Sequence, residues 1–170
     1  MKKLEKKKRR FKRCISRKYN ANKKGGKYCK TKSIIKKERL LLKLEHKLKN
    51  IRRNYIHQTT TEIINRKPRF ICVEDLNVCG MMKNIYLSKS IQNQNLYEFR
   101  RQLEYKCENN GIKFILADRF YPSSKLCMNC GKVKKDLKLS DRIYKCECGN
   151  VIDRDFQASI NLKRFGESHI

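Results

Sequence analysis

A chain of 170 residues with 44 Lys+Arg against 16 Asp+Glu carries a formal charge of +28. That excess is far beyond what solubility requires and implies a polyanionic partner. A membrane surface is the alternative, but no apolar run approaches the roughly 20 residues of a spanning helix, and Met1 opens into KKLEKKKRR rather than a signal peptide.

The charge is unevenly placed. Residues 1–70 hold 27 Lys/Arg and four acids (Glu5, Glu38, Glu45, Glu62), so +23 of the +28 lies there. Tyr19-Asn20-Ala21-Asn22 and Gly25-Gly26 read as a break between two helices. In the second helix Ile34, Leu41, Leu48 and Tyr55 fall seven apart, with Leu44 and Ile51 between them, an apolar stripe on a basic rod. Leu4, Phe11 and Ile15 supply the facing stripe, so residues 1–66 are predicted to form a basic antiparallel helical hairpin. Self-repulsion makes such a hairpin costly without a partner, which favours contact with a phosphate backbone over a merely solvated charged surface.

Lys67-Pro68 ends the second helix. Residues 67–121 then read as strand, helix, strand. The first strand is Arg69–Leu76, a nearly continuous apolar run expected to be buried on both faces. Asn77–Ser90 reads as loop and Asn93–Asn110 as helix, with Leu96, Phe99, Leu103 and Cys107 on its apolar face. Gly111–Asp118 is the second strand. Such a unit predicts two parallel strands, whose carboxyl ends, here Glu74 and Asp118, are where ligands bind. With a side-chain period of two, Glu74 and Asp75 are expected on opposite faces.

Residues 122–152 contain Cys127/Cys130 and Cys146/Cys148, two close pairs separated by fifteen residues and each followed by a glycine, Gly131 or Gly149. Two facing turns of this kind build the tetrahedral sulfur cage that Zn²⁺ prefers. A disulfide reading is poorer in a chain without secretory features, and a reducing cytoplasm is the expected compartment. Cys14, Cys29, Cys72, Cys79 and Cys107 have no metal spacing. Residues 153–170 read as a last helix, N-capped by Asp153, with Phe156, Ile160, Leu162 and Phe165 on its apolar face and Gly166 as its stop. Asp155 falls in its first turn, where the helix dipole favours a carboxylate.

Three segments then carry a resemblance: ICVEDLNVCGM (Ile71–Met81), FYPSSKLCMNCG (Phe120–Gly131) and CGNVIDRDFQASINL (Cys148–Leu162). Together, in this order, they resemble the carboxy-terminal half of TnpB (OrfB), the insertion-sequence protein related to type V CRISPR effector nucleases. The resemblance implies an α/β chain with a partial RNase H-like (RuvC) fold, the basic hairpin before it and the zinc ribbon inserted before its last helix. It implies an RNA-guided DNA endonuclease using divalent metal, with DNA and a guide-type RNA as partners.

The glutamate of the family's strand motif maps onto Glu74, and the second aspartate of its D-R-D-x-N-A pattern onto Asp155. The resemblance thus makes these two the catalytic carboxylates and weak Mg²⁺ ligands, and Asp75 and Asp153 structural. Two departures accompany it. The family's first catalytic aspartate has no counterpart, since no Asp precedes Asp75; a truncated protein unable to cut alone is the expectation. Gln157 stands where the family usually has Asn, and the second cysteine pair is C-x-C. The alternatives are a stand-alone DNA- or RNA-binding zinc-ribbon module, and a nuclease half completed in trans by a missing amino-terminal half. Asp118 is a less favoured local substitute for the third carboxylate.

Overall fold

The computed structural model describes residues 1–138 and 140–170. They form two compact units, Met1–His57 and Gln58–Ile170. No helix among the described residues is long and apolar enough to cross a membrane.

The first unit holds α1 (Lys2–Ala21), a two-stranded ribbon of β1 (Lys23–Lys24) and β2 (Lys27–Tyr28), and most of α2 (Lys32–Asn65). Gly25 and Gly26, with φ of +51° and +81°, make the two-residue turn between the strands, a backbone shape that a Cβ resists. The Thr31 hydroxyl accepts the Ile34 N–H at the start of α2, satisfying one of the orphan donors of a helix start.

The helices run antiparallel, because partner numbers on α2 fall as those on α1 rise. Glu5 pairs with Arg52 at 2.6 Å, Lys8 and Lys12 with Glu45 at 3.3 Å, and the Tyr19 hydroxyl donates to Glu38 at 2.8 Å. Three of the four acids of residues 1–70 therefore sit where the two cationic helices meet. The Glu38 carboxyl is held below its usual range by the Tyr19 hydroxyl and then by Lys30. Ile15, Ile34, Leu44, Leu48 and Ile56 are the buried apolar residues of this unit. The seven-residue stripe is thus corrected at its end. Ile51 and Tyr55 are exposed, and Ile56 is buried in their place, as a straight helix drifts about 20° per heptad from a strict seven-residue repeat.

In the second unit β3 (Phe70–Glu74) pairs in parallel with β4 (Lys113–Ala117), from Phe70↔Lys113 to Glu74↔Ala117. Between them the chain forms α3 (Val78–Met82), α4 (Ser88–Gln94) and α5 (Leu96–Asn109). Ile64 at the end of α2, Cys107 on α5 and Ile112 make a small core, with Ile71 and Phe114 packed against it. A polar group is buried beside it: Lys106 donates to the Thr60 and Thr61 hydroxyls at 2.7 Å each, and burial lowers its pKa.

Three expectations are corrected here. The stretch read as loop contains α3 and the start of α4. Asn77 caps α3 by accepting the Gly80 N–H at 2.9 Å, and a Cβ on Gly80 would stand 2.6 Å from Asn77 Nδ2, so this glycine makes room for a cap. The helix expected from Asn93 is broken at Asn95, whose φ of +51° separates α4 from α5. And β3 is only half-buried, with Glu74 exposed, since its sheet has two strands among the described residues.

The ribbon strands β5 (Ile143–Lys145) and β6 (Val151–Asp153) pair antiparallel and lead into α6 (Arg154–Glu167). Asp153 caps α6, accepting the N–H groups of Asp155 and Phe156 at 2.9 Å each. The buried residues of α6 are Gln157, Asn161 and Gly166, whereas Phe156 is exposed. The apolar stripe read from the sequence is corrected for a physical reason: this face meets polar groups, with Asn161 donating to the Ser123 and Leu126 carbonyls and Gln157 accepting from the Asn150 amide. Gly166 is no stop either. The helix runs past it, and a Cβ there would approach Phe70 Cδ2 to 2.8 Å and Cys72 Cβ to 3.1 Å, so its absence lets α6 lie against β3.

Candidate metal centres and the carboxylate cavity

The four ribbon cysteines converge. Their sulfur atoms all lie within 4.8 Å of one another, with Cys127–Cys148 and Cys130–Cys146 each at 3.6 Å. Four sulfurs around one ion at about 2.3 Å stand about 3.8 Å apart in a tetrahedron, so the donors are of a type and spacing that fit a metal ion. All nine cysteines are free. The turns that aim the thiols are closed by backbone bonds: Gly131 N–H to the Cys127 carbonyl at 2.9 Å and Gly149 N–H to that of Cys146 at 3.1 Å. Both glycines have the positive φ expected of them, +72° and +86°.

Burial works against ionisation of the Cys127 thiol, but the N–H groups of Cys130 and Asn129 outweigh it and bring its pKa down to about 6. Tyr144, fully buried beneath the turns, donates its hydroxyl to the Lys125 carbonyl at 3.1 Å. Desolvation pushes its pKa up to about 12.

A separate cavity of about 620 Å³ opens at the carboxyl end of β3. Glu74, Asp75, Arg100, Arg119 and Asp155 line it with polar groups, and Leu162 is among its apolar walls. The two carboxylates singled out from the sequence thus share one cavity, Glu74 from the last residue of β3 and Asp155 from the first turn of α6. Asp155 is largely exposed, with Arg154 at 3.5 Å and Arg142 at 3.8 Å. Glu74 accepts the Ser123 hydroxyl at 2.5 Å.

Asp75 was expected on the opposite face from Glu74, yet both line the cavity. The alternation stops because β3 ends at Glu74 and Asp75 lies beyond the strand. Its carboxylate is clamped between Arg100 and Arg119 at 2.6 Å each. Arg119 holds its pKa below the usual carboxylate range, against the effect of burial and with help from Arg100. Asp118 is not among the residues lining the cavity. Its carboxylate accepts the Phe120 N–H at 2.7 Å, shaping the turn after β4.

Sequence reasoning missed Ser123 and the arginine clamp. Nothing in the spacing of PSSK or of two arginines nineteen positions apart singles them out. The parallel pairing brings the end of β4, followed by Arg119 and Ser123, beside the end of β3, and α5 supplies Arg100.

Comparison with known proteins gives a consistent likeness. Residues 97–162 match the family model for the Cas12f1-like TNB domain. A Streptomyces pristinaespiralis protein named "Putative RNA-guided DNA endonuclease" is 35% identical over 131 residues, covering 77% of this chain and 32% of that one. Its namesake InsQ of Escherichia coli (strain K12) is 32% identical over 127 residues, covering 66% and 31%. The chain thus spans about a third of the length of these curated relatives. In fold it resembles the chain of a cryo-EM structure of a Cas12f1-sgRNA-target DNA complex, with TM-score 0.56, 23% identity, and coverage of 77% of this chain and 40% of that one.

Proposed function

We propose that this chain, which is of the TnpB type, is the zinc-ribbon and carboxylate-bearing portion of an RNA-guided DNA endonuclease. On this reading the first seventy residues grip nucleic acid, Cys127, Cys130, Cys146 and Cys148 hold a structural Zn²⁺, and Glu74 and Asp155 hold a weakly bound Mg²⁺. The observation that carries it is the cavity that Glu74 and Asp155 line together. Two carboxylates and several waters are the usual holding of Mg²⁺. A bound Mg²⁺ there supplies charge neutralisation at a phosphodiester and activation of water.

The chain's own residues contribute the rest. Glu74 presents one carboxylate oxygen while the other is occupied by Ser123. Asp155 sits in the first turn of α6, where the helix N-terminus attracts negative charge. Arg100 and Arg119 are engaged by Asp75, so their charge at the cavity is partly balanced rather than free to capture either catalytic carboxylate.

Within these residues only two carboxylates fill the roles for which the family uses three. Loss of one member of a group that acts as a unit costs orders of magnitude in rate. The isolated 170-residue chain is therefore expected not to cleave DNA with Mg²⁺ or Mn²⁺. The test is a cleavage assay on a labelled target, first with this chain alone and then with a polypeptide carrying the family's first aspartate plus a guide RNA. Cleavage in the second mixture that vanishes with Glu74→Ala or Asp155→Ala supports the reading. Metal-dependent cleavage by the chain alone, lost on Glu74→Ala, refutes the need for a third carboxylate from elsewhere.

A second reading, a DNA- or RNA-binding module whose carboxylates are idle, is favoured by one observation: +23 of the +28 charge lies in residues 1–70. It predicts nucleic-acid binding unchanged by Glu74→Ala, and no cleavage in either mixture.

A further inference from the structure

We propose that Ser123 is a positioning residue that fixes the Glu74 carboxylate for metal binding, and that the cysteine ribbon and α6 hold Ser123 in place. The inference rests on the reading of Glu74 as a metal ligand given above.

Ser123 is buried at 5% exposure, although the carboxylate it touches belongs to an exposed residue. Its hydroxyl meets Glu74 Oε1 at 2.5 Å. Against an ionised carboxylate, which only accepts, the hydroxyl must be the donor, and this length is that of a charge-assisted O–H···O⁻ bond. With Oε1 taken from within the protein, Glu74 turns its remaining acceptor capacity to the cavity in one orientation. An exposed glutamate at a strand end otherwise samples several rotamers, and freezing them on metal binding carries an entropic cost.

What holds Ser123 is a set of bonds unrelated to Glu74. The buried Asn161 amide on α6 donates from the same Nδ2 to the carbonyls of Ser123 and Leu126, each at 2.7 Å. Leu126 directly precedes the sulfur-bearing Cys127. One turn earlier on α6, Gln157 Oε1 accepts the Asn150 amide at 2.9 Å, and that same amide lies 3.6 Å from Cys127 Sγ. Asn150 also ties back to the second cysteine turn, its carbonyl accepting the Cys146 N–H at 2.9 Å.

The path from the sulfur cluster to Glu74 is therefore continuous: Cys127, Asn150 and Gln157 set the depth of α6, Asn161 on α6 sets Ser123, and Ser123 sets Glu74. The other carboxylate, Asp155, rides on α6 itself. Partners of this kind, hydrogen-bonded to a ligating carboxylate, are typically worth about 10–100-fold in metal affinity.

The test uses the full 170-residue chain, zinc-loaded, and Mn²⁺ as probe, with free Mn²⁺ read by its EPR signal. Ser123→Thr keeps the hydroxyl, whereas Ser123→Val has the same shape without it, so any cost of the extra methyl is common to both. Zinc content and the urea midpoint are measured on each variant. The expected result is Mn²⁺ binding by the Thr variant within about threefold of the parent chain, and at least about tenfold weaker binding by the Val variant and by Ser123→Ala. Glu74→Ala should lose the site. Stripping zinc from the parent chain should weaken Mn²⁺ binding to the degree seen with Ser123→Val. Equal Mn²⁺ affinity of the Thr and Val variants, with the site still lost in Glu74→Ala, overturns the role of Ser123 and leaves Glu74 as a ligand. Unchanged Mn²⁺ binding in Glu74→Ala overturns the metal reading of Glu74, and the positioning role falls with it.

Discussion

Replacing Gly166 by alanine sets two effects of opposite sign against each other. Helix propensity favours alanine over glycine by about 1 kcal/mol in a helix interior, and Gly166 has an ordinary negative φ, so no backbone strain opposes the change. Less of that gain is realised here, because Gly166 is the penultimate residue of α6. Against it stands the approach to β3. The new Cβ would lie 2.8 Å from Phe70 Cδ2 and 3.1 Å from Cys72 Cβ, where carbon pairs prefer about 3.5–4.0 Å. The Phe70 ring can move only by giving up its own packing, and Cys72 Cβ is fixed to the strand backbone. Overpacking of this kind costs about 1–3 kcal/mol, so the net expectation for Gly166→Ala is a loss of about 1–2 kcal/mol. In a unit of this size that is a fall in Tm of about 4–8 °C, measured by scanning calorimetry on zinc-loaded protein. Because α6 carries Asp155 and β3 carries Glu74, Mn²⁺ affinity should fall as well. An unchanged or raised Tm would show that α6 does not need its close seat on β3, and would refute the reasoning.

Three further outcomes are expected. Cys146→Ser should lower the zinc content of freshly purified, reduced protein from one per chain to near zero, since binding energy in such a site is largely folding energy; atomic absorption checks it. Binding to nonspecific DNA or RNA should weaken linearly in log affinity against log salt, with a slope of about −0.9 per duplex phosphate neutralised, and deleting residues 1–57 should remove most of that slope. The Asp75 carboxylate is depressed in the folded state, so its contribution is complete above the ordinary aspartate range and is lost as pH falls through its folded pKa. Acid titration below about pH 4 should therefore destabilise the parent chain more steeply than Asp75→Asn, as followed by circular dichroism.

What the sequence disclosed and what it hid divide along physical lines. The cysteine turns, the Asp153 cap and the parallel β3–β4 pair were legible because each depends on local spacing or on a period. Gly166, Gln157 and Asn161 were not. A glycine in a helix reads as a terminator unless one knows that a strand passes within van der Waals distance, and buried amides read as surface residues unless one knows that polar groups face them. Asn95 hid a break between α4 and α5 because a single positive φ leaves no trace in an otherwise helical pattern. Ser123 was hidden for a different reason: its partner, Glu74, is forty-nine positions away, and only the folded chain relates them. Glu74 and Asp155 themselves emerged from a family resemblance rather than from local physics.

The acids at the junction of α1 and α2 have a consequence for how the first unit meets a partner. Glu5, Glu38 and Glu45 are each about a third exposed and already engaged with Arg52, Lys30, Lys8 and Lys12. A nucleic acid approaching from outside therefore meets cations whose negative neighbours are turned toward one another along a single line. The hairpin is electrically sided: its anions serve as mortar between two like-charged rods, while its outer surface offers a phosphate backbone cations interspersed with exposed apolar residues such as Leu42 and Tyr55. Neutralising those three glutamates should part the helices and spread the positive charge instead of enlarging the surface that grips phosphate.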